Sequence, residues 1–193
     1  GLVEGMNWQE ILEGLNQGHT QLRLAAVRSQ SGALLLDDTY NASPESMLAG
    51  VTIAYETYGE LADDRSNAIL VCHALSASAH AAGKHTDSPD EKPGWWDGLI
   101  GYGKAIDLER WFVVCVNLPG SPFGTTAPKS LRPDTGRPYG SHYPWPTIED
   151  MVVSQKLVLD HLGITRLRSI AGGSLGGMQV LMWCAMYPEM AQS

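Results

Sequence analysis

The chain has 193 residues, 44% of them hydrophobic and 18% charged, with a formal net charge of −8. That length suits one core-bearing domain with an appendage. The acidic balance and the lack of any Lys/Arg run exclude a nucleic-acid binder, and no apolar run resembles a signal peptide or a bilayer span, so a soluble cytoplasmic protein is expected.

Residues 1–48 read as a separate unit. Trp8, Ile11, Leu12 and Leu15 follow helical spacing, with a stop at Gly18. Leu22, Leu24 and Ala26 alternate with Arg23 and other residues, as in a strand. Residues 29–32 are turn material, and Ala33 to Leu36 form a short buried strand. The segment Asp37-Asp38-Thr39-Tyr40-Asn41-Ala42-Ser43-Pro44-Glu45-Ser46-Met47 follows. Taken by itself it is a strand–turn pair whose Asp and Asn side chains make turn hydrogen bonds. It is also similar to the D-D-x-Y-N-A-x-P-x-S-M signature of the Mur ligases, nearest to the ligase that adds D-alanyl-D-alanine to the cell-wall precursor. The resemblance puts Arg23 where that family holds its nucleotide. The Gly-Lys-Ser/Thr phosphate loop of such a ligase is absent from all 193 residues, so ligase activity is not expected.

Residues 49–193 have a different character. Val51 to Gly59 is β-branched and aromatic and reads as a strand. Ala68 to Cys72 and Phe112 to Val116 are continuous apolar runs, as in strands covered on both faces. Lys84 to Gly94 is a polar surface loop, and Asn117 to Pro146 is a long Gly/Pro-rich loop of the kind that carries function. Thr147 caps a helix with Asp150 at its third position, Ile148, Met151, Val152, Leu159 and Leu162 give its apolar stripe, and Gly163 ends it. Strands alternating with helices predict parallel βαβ units in an α/β fold. Cys72, Cys115 and Cys184 each lie in an apolar run without a C-x-x-C spacing, so they are expected as buried free thiols, with no metal site.

Arg168 to Ala171 is a further strand. It runs into Gly172-Gly173-Ser174-Leu175-Gly176, which matches G-x-S-x-G, and an apolar helix to Tyr187 follows. Strand, Gly-flanked Ser and helix are the setting of a nucleophile elbow. Ser174 is therefore the candidate nucleophile. An acyl oxyanion then needs donors from the N–H after it, that of Leu175, and from the loop after an earlier strand, where His73-Ala74-Leu75-Ser76 supplies the N–H of Leu75. His73 is expected to fix that loop rather than act as a base. His80, His85, His142 and His161 precede the Ser and are expected in solvated or structural roles.

Residues from about Gly50 onward resemble the homoserine O-acyltransferases, α/β-hydrolase-fold enzymes of methionine synthesis. The matching segments are Ile53 to Gly59, Cys72 to Leu75, Pro93-Gly94-Trp95-Trp96-Asp97, Asn117, Gly124-Thr125-Thr126, Gly136 to Gly140, and the elbow through Met178-Gln179. The resemblance implies transfer of an acyl group from acetyl-CoA or succinyl-CoA, as co-substrate, to L-homoserine through an acyl-serine. It implies no permanently bound cofactor. Leu118-Pro119-Gly120-Ser121-Pro122 departs from the family's usual Leu-Gly-Gly-Cys, which leaves the donor and the choice of homoserine or serine as acceptor open. An esterase on the same fold and a non-catalytic chimeric fragment are the alternatives. The family's acid and His follow the Ser in chain order. None matches before Ser193, so an incomplete α/β-hydrolase domain is expected, joined to the Mur-like piece near residues 47–50. Low activity alone is expected, with a homodimer or aggregation through exposed apolar surface.

Overall fold

The computed structural model describes residues 51–191 and the two strand segments 25–28 and 34–37. Those two segments, β1 (Ala25–Arg28) and β2 (Leu34–Asp37), pair antiparallel with Ala25 opposite Asp37. The helix expected over Trp8 to Leu15, the strand positions Leu22 and Leu24, and the signature residues after Asp37 lie outside the described residues.

Four strands form the central sheet in the order β3 (Tyr55–Tyr58), β7 (Phe112–Val116), β4 (Ala68–Cys72) and β8 (Ser169–Gly172). β4 runs parallel to both β7 and β8, and β3 runs antiparallel to β7. β5 (Ile100–Gly101) and β6 (Ile106–Asp107) make a small separate parallel pair, which the sequence pattern did not announce. Helix α1 (Ile148–His161) precedes β8, and α2 (Leu175–Met186) follows it. No helix among the described residues is long and apolar enough to cross a membrane.

The continuous apolar runs of β4 and β7 are explained by burial on both sides. Side chains alternate between the faces of a strand. Leu70, Cys72, Val114 and Val116 face a core closed by Val152, Val158 and Leu159 of α1 and Trp183 of α2. Ile69, Val71, Val113 and Cys115 face the other way, onto Ala79, Ala81, Ala82 and Ile100, with Trp95, Trp96 and Trp111 packed around them. Every residue of β4 and β7 is buried, and burying one such aliphatic side chain stabilises the fold by about 1.5–3 kcal/mol.

Several expectations need adjusting. The strand expected over Val51 to Gly59 is regular only from Tyr55 to Tyr58, with an isolated bridge residue at Ile53. Upstream of Tyr55, side chains replace a strand partner: the N–H of Thr52 donates to Thr126 Oγ1 at 2.7 Å and that of Ala54 to Thr125 Oγ1 at 3.1 Å. The capping box of α1 is present, with Asp150 N–H donating to Thr147 Oγ1 at 3.2 Å and Thr147 N–H to Asp150 Oδ2 at 2.8 Å. Its buried face includes Ser154 and Gln155 beside the expected aliphatics. Cys72 and Cys115 are buried free thiols, but Cys184 is exposed, because α2 turns it away from the Trp183 side.

Candidate active site

Ser174 sits between the end of β8 at Gly172 and the first residue of α2 at Leu175. Its backbone has φ 57° and ψ −126°, a left-handed conformation shared among described non-glycine residues only by Arg65. An L side chain held there costs about 1–3 kcal/mol and persists only where surrounding packing imposes it. Here the packing is visible. A Cβ on Gly176 would lie 2.1 Å from the Cys72 carbonyl oxygen, and one on Gly172 would lie 2.7 Å from the Gly176 carbonyl. Helix, β8 and β4 approach so closely that only glycine fits at both positions flanking Ser174. The helix begins at once: Gly177 and Met178 N–H groups donate to the Ser174 carbonyl at 2.9 and 3.3 Å. Ser174 is exposed, at a helix N-terminus where free N–H groups and the dipole favour developing negative charge.

The segment carrying Leu75 leaves the same end of the sheet. Cys72 of β4 pairs with Gly172 of β8 in parallel register, so both chains emerge side by side. His73 follows and is completely buried. Its Nδ1–H donates to the Ala74 carbonyl at 2.7 Å, and its Nε2 accepts the N–H of Leu118 at 3.3 Å. This pairing fixes one neutral tautomer, and burial holds the imidazole below its ordinary pKa. Gln179 then ties the loop to the elbow. Its Nε2 donates to the carbonyls of His73 (3.4 Å) and Leu175 (3.2 Å). The Leu75 side chain is 77% exposed at the mouth of this arrangement.

A cavity of about 410 Å³ opens beside Leu75, walled by His73, Leu118, Pro119, Tyr143, Trp145 and Met151 among others. Its wall is mostly apolar, and its size falls within the range of small-molecule sites. Ser121 lines it, with an Oγ that is buried and has no hydrogen-bond partner. Trp145 at the rim is 94% exposed. The loop of 117–146 is therefore held at its start by β7 and the His73–Leu118 bond, and Tyr143 O–H closes it by donating to the Thr126 carbonyl at 2.8 Å.

Among the described residues, four further histidines make no hydrogen bond with Ser174. His80 and His85 both bond to Glu56, at 3.0 and 3.1 Å. His142 lies in a 3-10 turn and His161 ends α1, both exposed. Sequence reasoning missed the part played by Gln155 and Gln179. Their only signal is a polar residue inside an otherwise apolar helix face.

The alpha/beta hydrolase fold model matches residues 67–193. Homoserine O-acetyltransferase of Methanococcoides burtonii is 58% identical over 145 residues, 75% of this chain and 30% of that protein. Homoserine O-acetyltransferase of Pelobacter propionicus is 49% identical over 172 residues, 89% of this chain and 46% of its own length. That span is longer than residues 49–193, so the similarity continues upstream of the boundary drawn at residue 48. The crystal structure of homoserine O-acetyltransferase from Bacillus anthracis superposes with a TM-score of 0.70 at 37% identity, covering 89% of this chain and 45% of that one. Esterase E22 gives 0.71 at 37% identity, covering 88% and 45%. The chain thus spans less than half the length of these proteins.

Proposed function

We infer that this chain, which belongs to the α/β-hydrolase fold family, carries the nucleophile and oxyanion donors of a homoserine O-acyltransferase. The observation that carries the reading is the strained backbone of Ser174 at the head of α2, φ 57°, enforced by glycines on both sides. In this reading Ser174 Oγ attacks the thioester carbonyl of acetyl-CoA or succinyl-CoA. The N–H groups of Leu75 and Leu175 receive the oxyanion, the C–S bond breaks, and CoA leaves as the thiol with the serine's proton, relayed by a general base. The hydroxyl of L-homoserine then attacks the acyl-serine. Its proton returns to Ser174 Oγ, and O-acyl-L-homoserine departs. Support for this acceptor and for acetyl-CoA comes from relatives named homoserine O-acetyltransferase. The cavity beside Leu75 has room for L-homoserine or for the acyl end of the thioester, although Ser174 is not among the residues that wall it. Methionine synthesis in the cytoplasm is the setting that goes with this activity.

The likeness to esterase E22 favours one second reading, in which water rather than homoserine takes the acyl group. Intact-mass measurement of the protein after incubation with acetyl-CoA and with succinyl-CoA tests the first step. An adduct that maps to Ser174 and is absent from Ser174→Ala is expected, and its mass names the donor. Adding L-homoserine should discharge it as O-acylhomoserine, slowly, because no general base has been placed beside Ser174 among the described residues. Release of free acid alone supports the esterase reading, and no adduct with any donor overturns both.

A further inference from the structure

Away from Ser174, three side chains from separate parts of the sequence converge. Glu56 lies on β3, and His80 and His85 lie in the segment that covers the opposite face of the sheet from α1 and α2. His80 Nδ1 is 3.0 Å from Glu56 Oε2, and His85 Nε2 is 3.1 Å from Glu56 Oε1. The two imidazoles lie against each other, centroids 3.9 Å apart and tilted by 36°. One nitrogen or carboxylate oxygen from each of the three residues falls within 4.8 Å of the others.

We propose that Glu56, His80 and His85 form a binding site for a divalent transition-metal ion of the zinc type. Three observations carry it. The donor set is two imidazoles and one carboxylate, which suits Zn²⁺ rather than the oxygen-seeking Mg²⁺ or Ca²⁺. The donors are within reach of one ion: ligand bonds of about 2.0–2.2 Å around a tetrahedral ion place neighbouring donor atoms about 3.3–3.6 Å apart. The two imidazole–carboxylate contacts, 3.0 and 3.1 Å, go to different oxygens of Glu56, and one donor atom from each residue lies within 4.8 Å of the others, so small side-chain rotations close all three onto one ion. The third observation is an outer partner. His85 Nδ1, on the far side of the ring from Glu56, lies 3.6 Å from Glu91 Oε1. A metal-bound histidine usually gives its second N–H to a carboxylate, which fixes the ring and raises its basicity.

Glu91 is itself anchored. Its carboxylate accepts the N–H groups of His85 and Thr86 at 2.9 and 2.7 Å and the Thr86 hydroxyl. Tyr58 O–H donates to Glu56 Oε2 at 2.7 Å and holds that carboxylate in place. Binding displaces the protons that now bridge the imidazoles to Glu56, so one ion enters and protons leave. The His85 side chain is 45% exposed, which gives the ion a route in and leaves a coordination position for water. Such an ion would clamp the loop around residues 80–91 to β3, on the opposite side of the sheet from the helices.

The test uses untagged, metal-stripped protein in a Cys184→Ser background, so that the exposed thiol cannot hold metal. Zn²⁺ is titrated by calorimetry, and Co²⁺ is followed by its visible absorption. One saturable site per chain is expected, with Co²⁺ bands of an oxygen- and nitrogen-ligated ion. His85→Ala should abolish binding, and Glu91→Gln should weaken it about tenfold. Because His85 is at the surface, its variant should keep the circular dichroism of the parent. If His80→Ala fails to fold, Glu56→Gln supplies the second ligand deletion. No saturable binding, or binding unchanged in His85→Ala and Glu56→Gln, overturns the proposal.

Discussion

Gln155 of α1 donates through Nε2 to Gln179 Oε1 of α2 at 2.5 Å, and both amides are completely buried. Gln155 Oε1 in turn accepts the Trp183 indole N–H at 2.6 Å. The two helices that flank the elbow are therefore joined by a chain of amides ending on the His73 and Leu175 carbonyls. A buried polar chain stabilises only while every member is paired. Gln155→Leu leaves the Trp183 N–H and one Gln179 group without partners. The expected loss is about 1–3 kcal/mol for each group stranded, read from the urea midpoint at unchanged slope. A variant as stable as the parent would show that the chain contributes nothing net.

Ser174→Gly and Ser174→Ala should part company in stability. Glycine adopts φ near 57° without penalty, whereas alanine keeps the strain of the serine. Relief of about 1–3 kcal/mol of strain is set against the ~0.5–1 kcal/mol that glycine adds to the unfolded chain's entropy. Ser174→Gly is therefore expected to melt at or above the parent temperature, and Ser174→Ala close to it. Neither should form an acyl adduct. A marked fall in melting temperature for the glycine variant would mean that the backbone at 174 is not strained.

Gly176→Ala tests the same elbow from the other side. A Cβ at 2.1 Å from the Cys72 carbonyl oxygen has backbone, not a flexible side chain, in its way. The expected cost is about 3 kcal/mol or more, at the upper end for overpacking. Scanning calorimetry reads it directly. An alanine variant with the parent's melting temperature would be incompatible with the packing of α2 on β4.

Two of the buried groups make stability depend on pH in opposite directions. His73 is held below its ordinary pKa by burial, so its contribution to stability is present above the unfolded value near 6.5 and is lost as pH falls below it. His73→Gln should flatten stability against pH in that acid window while lowering it at neutrality. Cys72 is pushed up to about 12 by burial, from an ordinary value near 9. Its contribution is complete below pH 9 and is lost as pH climbs toward 12. At pH 8 a thiol reagent should therefore modify Cys184, which is exposed, and leave Cys72 and Cys115 intact until the chain unfolds. Three thiols reacting together under native conditions would contradict the burial of the other two.

What was legible in the sequence was local or strongly periodic. The runs of β4 and β7 carry their burial in composition, the Thr147–Asp150 box is a three-residue signal, and the Gly-Ser-Gly turn names its own strain. Contacts between distant segments were not legible. Nothing in Glu56, His80 or His85 alone marks a cluster, because β3 and the covering loop meet only in the fold. The threonines that terminate β3 lie at 125 and 126, far along the chain. Gln155 and Gln179 each interrupt an apolar stripe, which reads as noise until the two helices are set side by side. Cys184 misled in the opposite sense: α2 is apolar nearly all round, so its composition could not say which side faces outward.

The imidazole of His73 has a mechanical consequence. It takes a backbone N–H from the start of one loop while giving its own N–H to the start of another. The floor of the cavity is thereby stitched across β4 and β7, and neither loop can shift at its root without the other. More of the lining comes from a segment further along the loop of 117–146. That segment carries Tyr143, Pro144, Trp145 and Pro146. The rim is thus tied at both loop roots and again at Tyr143, and the Trp145 indole just beyond that tie is left in solvent.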